Sequence, residues 1–153
     1  MAVESELATI LGGVLKPIGF RRRRSNWFRV GTSVYSIVNV QKSPWGDGVC
    51  YVNLGFSLSD RVTGGWQPEH KCSVRFRIDA LRSTRPEHLR LLDQEMLDAM
   101  GVEAWRTAVG EWIATPIARV LASTSDLADL RDLLDSKVSG GVAVLHDARE
   151  LLG

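Results

Sequence analysis

Val3, Leu7, Ile10, Leu11 and Val14 recur at the three-to-four-residue spacing of one helical face, which predicts an amphipathic helix at the start of the chain. Pro17 biases Lys16 away from helical backbone and Gly19 supplies a turn, so this helix is expected to end near Leu15. From there the period drops to two. Trp27 to Val30 reads as a short strand, Gly31-Thr32-Ser33 as a hairpin turn, and Val34 to Lys42 as a longer strand closed by Pro44-Trp45-Gly46-Asp47-Gly48. Val49 to Leu58 alternates cleanly: Cys50, Val52, Leu54, Phe56 and Leu58 face one way, and Tyr51, Asn53, Gly55 and Ser57 the other. Beyond a polar loop from Ser59 to Lys71, Cys72, Val74, Phe76 and Ile78 alternate with Ser73, Arg75 and Arg77.

At Pro86 the helical period returns. Leu89, Leu92, Met96, Leu97 and Met100 predict one helix broken at Gly101, and Trp105, Val109, Trp112 and Ile113 a second that Pro116 ends or kinks. Ile117, Val120 and Leu121 continue it, and Ser125 is placed to cap a helix carrying Leu127, Leu130, Leu133 and Leu134. Gly140-Gly141 precede a last helix with Val144, Leu145, Ala148, Leu151 and Leu152. The expected architecture is one α+β domain over 1–153: an N-terminal helix, an antiparallel β-meander of four to five strands, and a helical C-terminal half packed on the sheet.

Composition changes this picture at three points. With 153 residues the chain fits one domain able to bury its own core, and its composition is that of a soluble globular protein. No apolar run approaches a membrane span, and the acidic first residues, MAVESELATIL, lack a basic signal region, so a cytoplasmic protein is expected. Cys50 and Cys72 read as buried reduced thiols, with a disulfide between neighbouring strands as the alternative. Charge is strongly asymmetric: thirteen Lys and Arg against four Asp and Glu from Lys16 to Arg85, six against twelve from Pro86 to Gly153. A basic strand-rich part (16–85) and an acidic helical part (86–153) imply either an acidic partner or nucleic acid, or pairing between the two parts.

Strand parity gathers candidate chemistry on one face. If Phe28 and Val30 face the core, Trp27 and Arg29 point away, together with Tyr35, Ile37, Asn39 and Gln41 of the next strand. Adding Lys42, Tyr51, Asn53, Arg75 and Arg77 gives a polar and aromatic surface of the kind that anchors protein partners. The same Arg and Trp side chains suit single-stranded nucleic acid or a phosphate group. The plain alternative is a solvated sheet face whose amides bond locally.

Other constellations read as structure. Parity sends Arg22 and Arg24 of the four-arginine run toward the side of Phe20, which places the run at a frayed sheet edge or opposite acidic side chains. His70-Lys71-Cys72 offers too few ligands for zinc, and His88 and His146 have no nucleophile arranged beside them. Gly64-Gly65 and Gly140-Gly141 lack a phosphate-loop pattern. Glu69 and Asp79 form a carboxylate pair only if the fold brings them together. Trp105 and Trp112, seven apart, read as core, and Asp126, Asp129, Asp132 and Asp135 as a solvated helix face.

Gly19-Phe20 followed by basic residues, Asn26-Trp27-Phe28-Arg29, Gln41-Lys42-Ser43 and Asn53-Leu54-Gly55 together resemble a bacterial family known as domain of unknown function 4304, and Trp112 and Pro116 suit its C-terminal half. The resemblance implies an α+β domain in a bacterial cytoplasm and brings no activity, cofactor or catalytic residue with it. The expected function is a non-enzymatic protein-binding module using the polar-aromatic sheet face. The alternatives are a nucleic-acid or phospholigand binder on that face, and an enzyme whose site assembles only in space. No cofactor, metal, catalytic residue or membrane partner is expected.

Overall fold

The computed structural model describes residues 1–140, 142–144 and 149. Helix α1 (Val3–Leu15) runs into a single 3-10 turn (Lys16–Ile18), and Gly19 closes it with φ of 93°. That left-handed conformation carries almost no penalty for glycine. Strands β1 (Arg21–Arg23), β2 (Asn26–Val30), β3 (Val34–Lys42), β4 (Cys50–Leu58), β5 (Val74–Arg77) and β6 (Ala143–Val144) then form one antiparallel sheet in chain order. β6 is a two-residue addition at the β5 edge, where helical spacing around Val144 predicts a helix; Leu145, Ala148, Leu151 and Leu152 lie outside the described residues.

Residues directly opposite one another in an antiparallel sheet point to the same side. The row Trp27, Val38, Leu54, Phe76 faces the helices, and the row Asn26, Asn39, Asn53, Arg77 faces away. The helix-side row joins Val3, Leu7, Leu11 and Leu15 of α1 and Trp105, Val109, Ile113, Ile117 and Leu121 of the C-terminal half in one apolar core. Gly12 and Gly13 cost α1 about 1 kcal/mol each in propensity. Four buried aliphatic side chains at about 1.5–3 kcal/mol apiece outweigh that.

β2 has the opposite parity to the sequence expectation. Trp27 is fully buried on the helix side, whereas Phe28 lies on the other face and Val30 is half exposed. Burying the larger indole decides the register, and Arg29 tolerates the same side because its guanidinium is satisfied. It donates to the carbonyls of Ile18 (3.0 Å), Leu121 (2.7 Å) and Thr124 (3.2 Å) and lies over the Phe20 ring. The arginine run is an edge: β1 is exposed throughout, with Arg22 over the Trp27 ring and Arg23 over the Trp66 ring.

The helical half differs in detail. The helix expected from Pro86 to Met100 is two, α2 (Pro86–Leu89) and α3 (Gln94–Met100), joined through a 3-10 turn (Arg90–Leu92). Between them Asp93 turns extended, bridges to Val49 and caps α3 by accepting from the Glu95 N–H. α4 (Val102–Val109) continues through a π turn (Gly110–Ala114) into α5 (Thr115–Ala122). Pro116 has no N–H for the carbonyl of Trp112, and Thr115 donates five residues back to Gly110. The wider turn separates the two tryptophans: Trp105 is buried, donating to the Leu91 carbonyl, and Trp112 is on the surface stacked against His88. α6 (Leu127–Asp132) starts from a reciprocal Asp126/Asp129 capping box rather than from Ser125.

Candidate functional site

The sheet face away from the helices is divided in two. Over one end folds the segment from Ser59 to Ser73. Phe28, Tyr35, Ile37 and Cys72 make a second, smaller apolar cluster there with Val62 and Trp66. Gln67 pins the segment: its carbonyl accepts from the Tyr35 hydroxyl (2.7 Å), its N–H donates to that hydroxyl, and its side-chain oxygen accepts from Ser57 (2.6 Å). Gly55 lies beneath, because a Cβ there would meet Cys72 Sγ at 2.9 Å and Ile37 at 3.0 Å.

The other end is polar and open. Amides cross three strands in sequence: Asn39 Nδ2 donates to Asn26 Oδ1 (2.8 Å), and Asn53 Nδ2 donates to Asn39 Oδ1 and Gln41 Oε1 (both 3.1 Å). Asn53, only 7% exposed, therefore spends both amide hydrogens inside this ladder. On β5, Arg75 Nε donates to Glu69 Oε1 (3.2 Å), and the Arg77 guanidinium lies 4.1 Å from the Tyr51 ring centre. A depression of about 570 Å³ is bounded by Gln41, Asn53, Glu69, Arg75, Arg77 and Asp79, with Phe76 and Ala80 in its wall.

Of the nine candidate residues, the fold brings together Asn39, Gln41, Tyr51, Asn53, Arg75 and Arg77 on this face. Trp27, Arg29 and Lys42 do not belong to it. Trp27 and Arg29 are on the helix side for the reasons above. Lys42 pairs with Cys50 on that side and reaches Glu4 of α1 at 3.3 Å. Glu69 and Asp79 do share the depression, delivered by the loop's fold-back and by the 3-10 turn after β5 (Ile78–Ala80), neither of which periodicity reveals. Asn26 was recognisable only through its register opposite Asn39.

The buried titratable groups are held toward their neutral forms. Burial pushes the Cys50 thiol up to about 11, and those of Cys72 and the Tyr35 phenol up to about 12. Burial also lowers Arg29, whose carbonyl partners nevertheless match its charge. Cys50 faces the helices and Cys72 the loop, so the sheet itself stands between the two free thiols. Among the described residues no group of three His, Cys, Asp or Glu is placed to hold a metal ion. Nor is any described helix long and apolar enough to cross a membrane.

The profile of the family described as Domain of unknown function (DUF4304) matches residues 11–111, from the middle of α1 into the π turn after α4. The chain belongs to that family. Its DUF4304 stretch contains the sheet from β1 to β5 and every residue named above on the open face; Trp112 and Pro116 lie just beyond it. The short motifs that resemble DUF4304 divide by position. Gly19, Phe20, Trp27 and Arg29 form the joint between α1 and the sheet, while Asn26, Gln41 and Asn53 belong to the amide ladder. No curated protein and no solved structure matches the chain.

Proposed function

We propose that the chain acts as one domain, a non-enzymatic binding module that holds a protein partner on the open polar end of its sheet. The observation that carries this reading is the depression between Gln41, Asn53, Arg75, Arg77, Glu69 and Asp79, where two arginines project from a strand fixed by a packed core and two carboxylates come from the turns beside it. Rigid placement lowers the entropy cost of association. The thiols support a binding role over nucleophilic catalysis, because burial holds both far above the range in which a thiolate forms. Two buried free cysteines also suit a reducing bacterial cytoplasm.

Nucleic acid is the second reading, favoured by the exposed arginines of β1 and by Arg23 over Trp66. Glu69 and Asp79 oppose it at the depression, since a polyanion would meet two carboxylates there. The two readings separate in one comparison. Proteins captured by the wild-type chain from its native extract are compared with those captured by an Arg75→Ala/Arg77→Ala variant of unchanged melting temperature. A protein retained only by the wild type, and binding it again when purified, supports the partner reading. Capture indifferent to both arginines, or steeply salt-dependent binding of single-stranded RNA, sinks it.

A further inference from the structure

Arg75 and Arg77 enter the same depression with different obligations. Arg75 shares its charge with Glu69 through Nε, whereas the Arg77 guanidinium lies over the Tyr51 ring and has no carboxylate partner among the described residues. A guanidinium held over an aromatic ring can still offer its N–H groups to a carboxylate, which it matches in a bidentate fork. Asp79, two residues further on, is exposed and makes no ion pair among the described residues. Its Cα lies at most about 7 Å from that of Arg77. Among the described residues the lining therefore offers one cation and one anion without an ion-pair partner, close together, while Arg75 and Glu69 pair with each other.

A second opening adjoins it. A cleft of about 140 Å³ shares the Arg77 and Asp79 walls and is otherwise lined by apolar groups, among them Val49, Val52, Leu89 and Leu92. We propose that the two openings receive one protein segment. It sets a carboxylate on Arg77, a cationic side chain beside it on Asp79, and an apolar side chain in the adjoining cleft. A dianionic phosphate fits this lining poorly, because two carboxylates face it and, among the described residues, one of its two guanidiniums is already paired with Glu69. A free amino acid satisfies the charged pair but leaves the apolar cleft empty. This inference rests on the binding reading above and names the chemistry of its occupant.

The test is a titration of the full chain followed by NMR, reading the side-chain amide signals of Gln41 and Asn53 and the Nε signal of Arg77. The probes are acetyl-Glu-Lys-Leu-amide, acetyl-Gln-Gln-Leu-amide, free glutamate and inorganic phosphate. The charged tripeptide is expected to shift these signals at the lowest concentration. Asp79→Asn should weaken it roughly fivefold, the scale of one exposed ion pair, and Arg77→Ala should abolish the shifts. Arg77→Lys, which keeps the charge and loses the fork, should fall between, and it stands in if Arg77→Ala disturbs the Tyr51 contact. Stronger shifts from phosphate, free glutamate or the neutral tripeptide overturn the proposed occupant while leaving the open face as a binding site. Signals unmoved by every probe overturn the occupant and count against the site itself.

Discussion

Trp27 is a residue on which α1 and the sheet meet. Its indole is fully buried between α1 and the sheet, close enough to Gly12 that an added Cβ there would lie 3.6 Å from Nε1. Its N–H has no partner among the described residues, so the benefit of the site is apolar contact, not hydrogen bonding. Trp27→Ala should therefore destabilise the fold by about 3–5 kcal/mol, the range for removing a large buried aromatic. Urea unfolding checks this, and a loss below about 1 kcal/mol would show that the ring is not the keystone described here. Cys50, Cys72 and Tyr35 set a different condition. Each ionises less readily folded than unfolded, their ordinary values being 9.0 for the thiols and 10.0 for the phenol. The unfolded chain thus gives up protons first as pH rises. Stability should be level below about pH 9 and fall between about pH 9 and 12. A urea midpoint that stays constant to about pH 11 would contradict the burial assigned to all three.

At the scale of elements, the loop from Ser59 to Ser73 is held by few points and has little slack. Gly55→Ala would force a methyl against Cys72 and Ile37, and overpacking of this kind costs about 1–3 kcal/mol. The loop is the softer partner, so the Gln67 N–H, bonded to the Tyr35 hydroxyl, should exchange with deuterium faster in the variant. Unchanged exchange there would mean that the sheet yields instead. The elements also differ in how plainly the chain declares them. β3 was legible to the residue and β4 to within one, because each is a β-prone run of nine positions between strong turn signals, and in β4 Cys50, Val52, Leu54 and Phe56 alternate with Tyr51, Asn53, Gly55 and Ser57. β2 was not: Trp27 and Phe28 are adjacent aromatics, both faces of the sheet are apolar at that end, and parity alone cannot rank them. Cys72 looked like strand because it is in phase with Val74 and Phe76, yet β5 begins only at Val74 and Cys72 turns to the loop side. The break at Asp93 and the π turn before Pro116 depend on tertiary partners, Val49 for one and a missing donor for the other.

For the molecule as a whole, the charge asymmetry resolves into local arrangements. Lys42 reaches Glu4, Arg75 reaches Glu69, and Arg106 binds Glu6 at 2.9 Å, while Asp126 and Asp129 serve their own helix start. The candidate site was half legible for the same reason: strand parity gathers its amides and arginines, but its two carboxylates arrive on turns. Strand order in the sheet equals order in the chain, so each strand from β2 to β5 pairs with the one just before it. Pairing of this kind keeps the sequence separation of the sheet contacts low. α1 is the exception. Glu6 and Arg106 are separated by 100 residues, and the Val3 N–H meets its Gln94 acceptor 91 residues later. α1 thus precedes in the chain the residues that fix it, and the apolar stripe of Leu7 and Leu11 is fully covered only once those later segments exist.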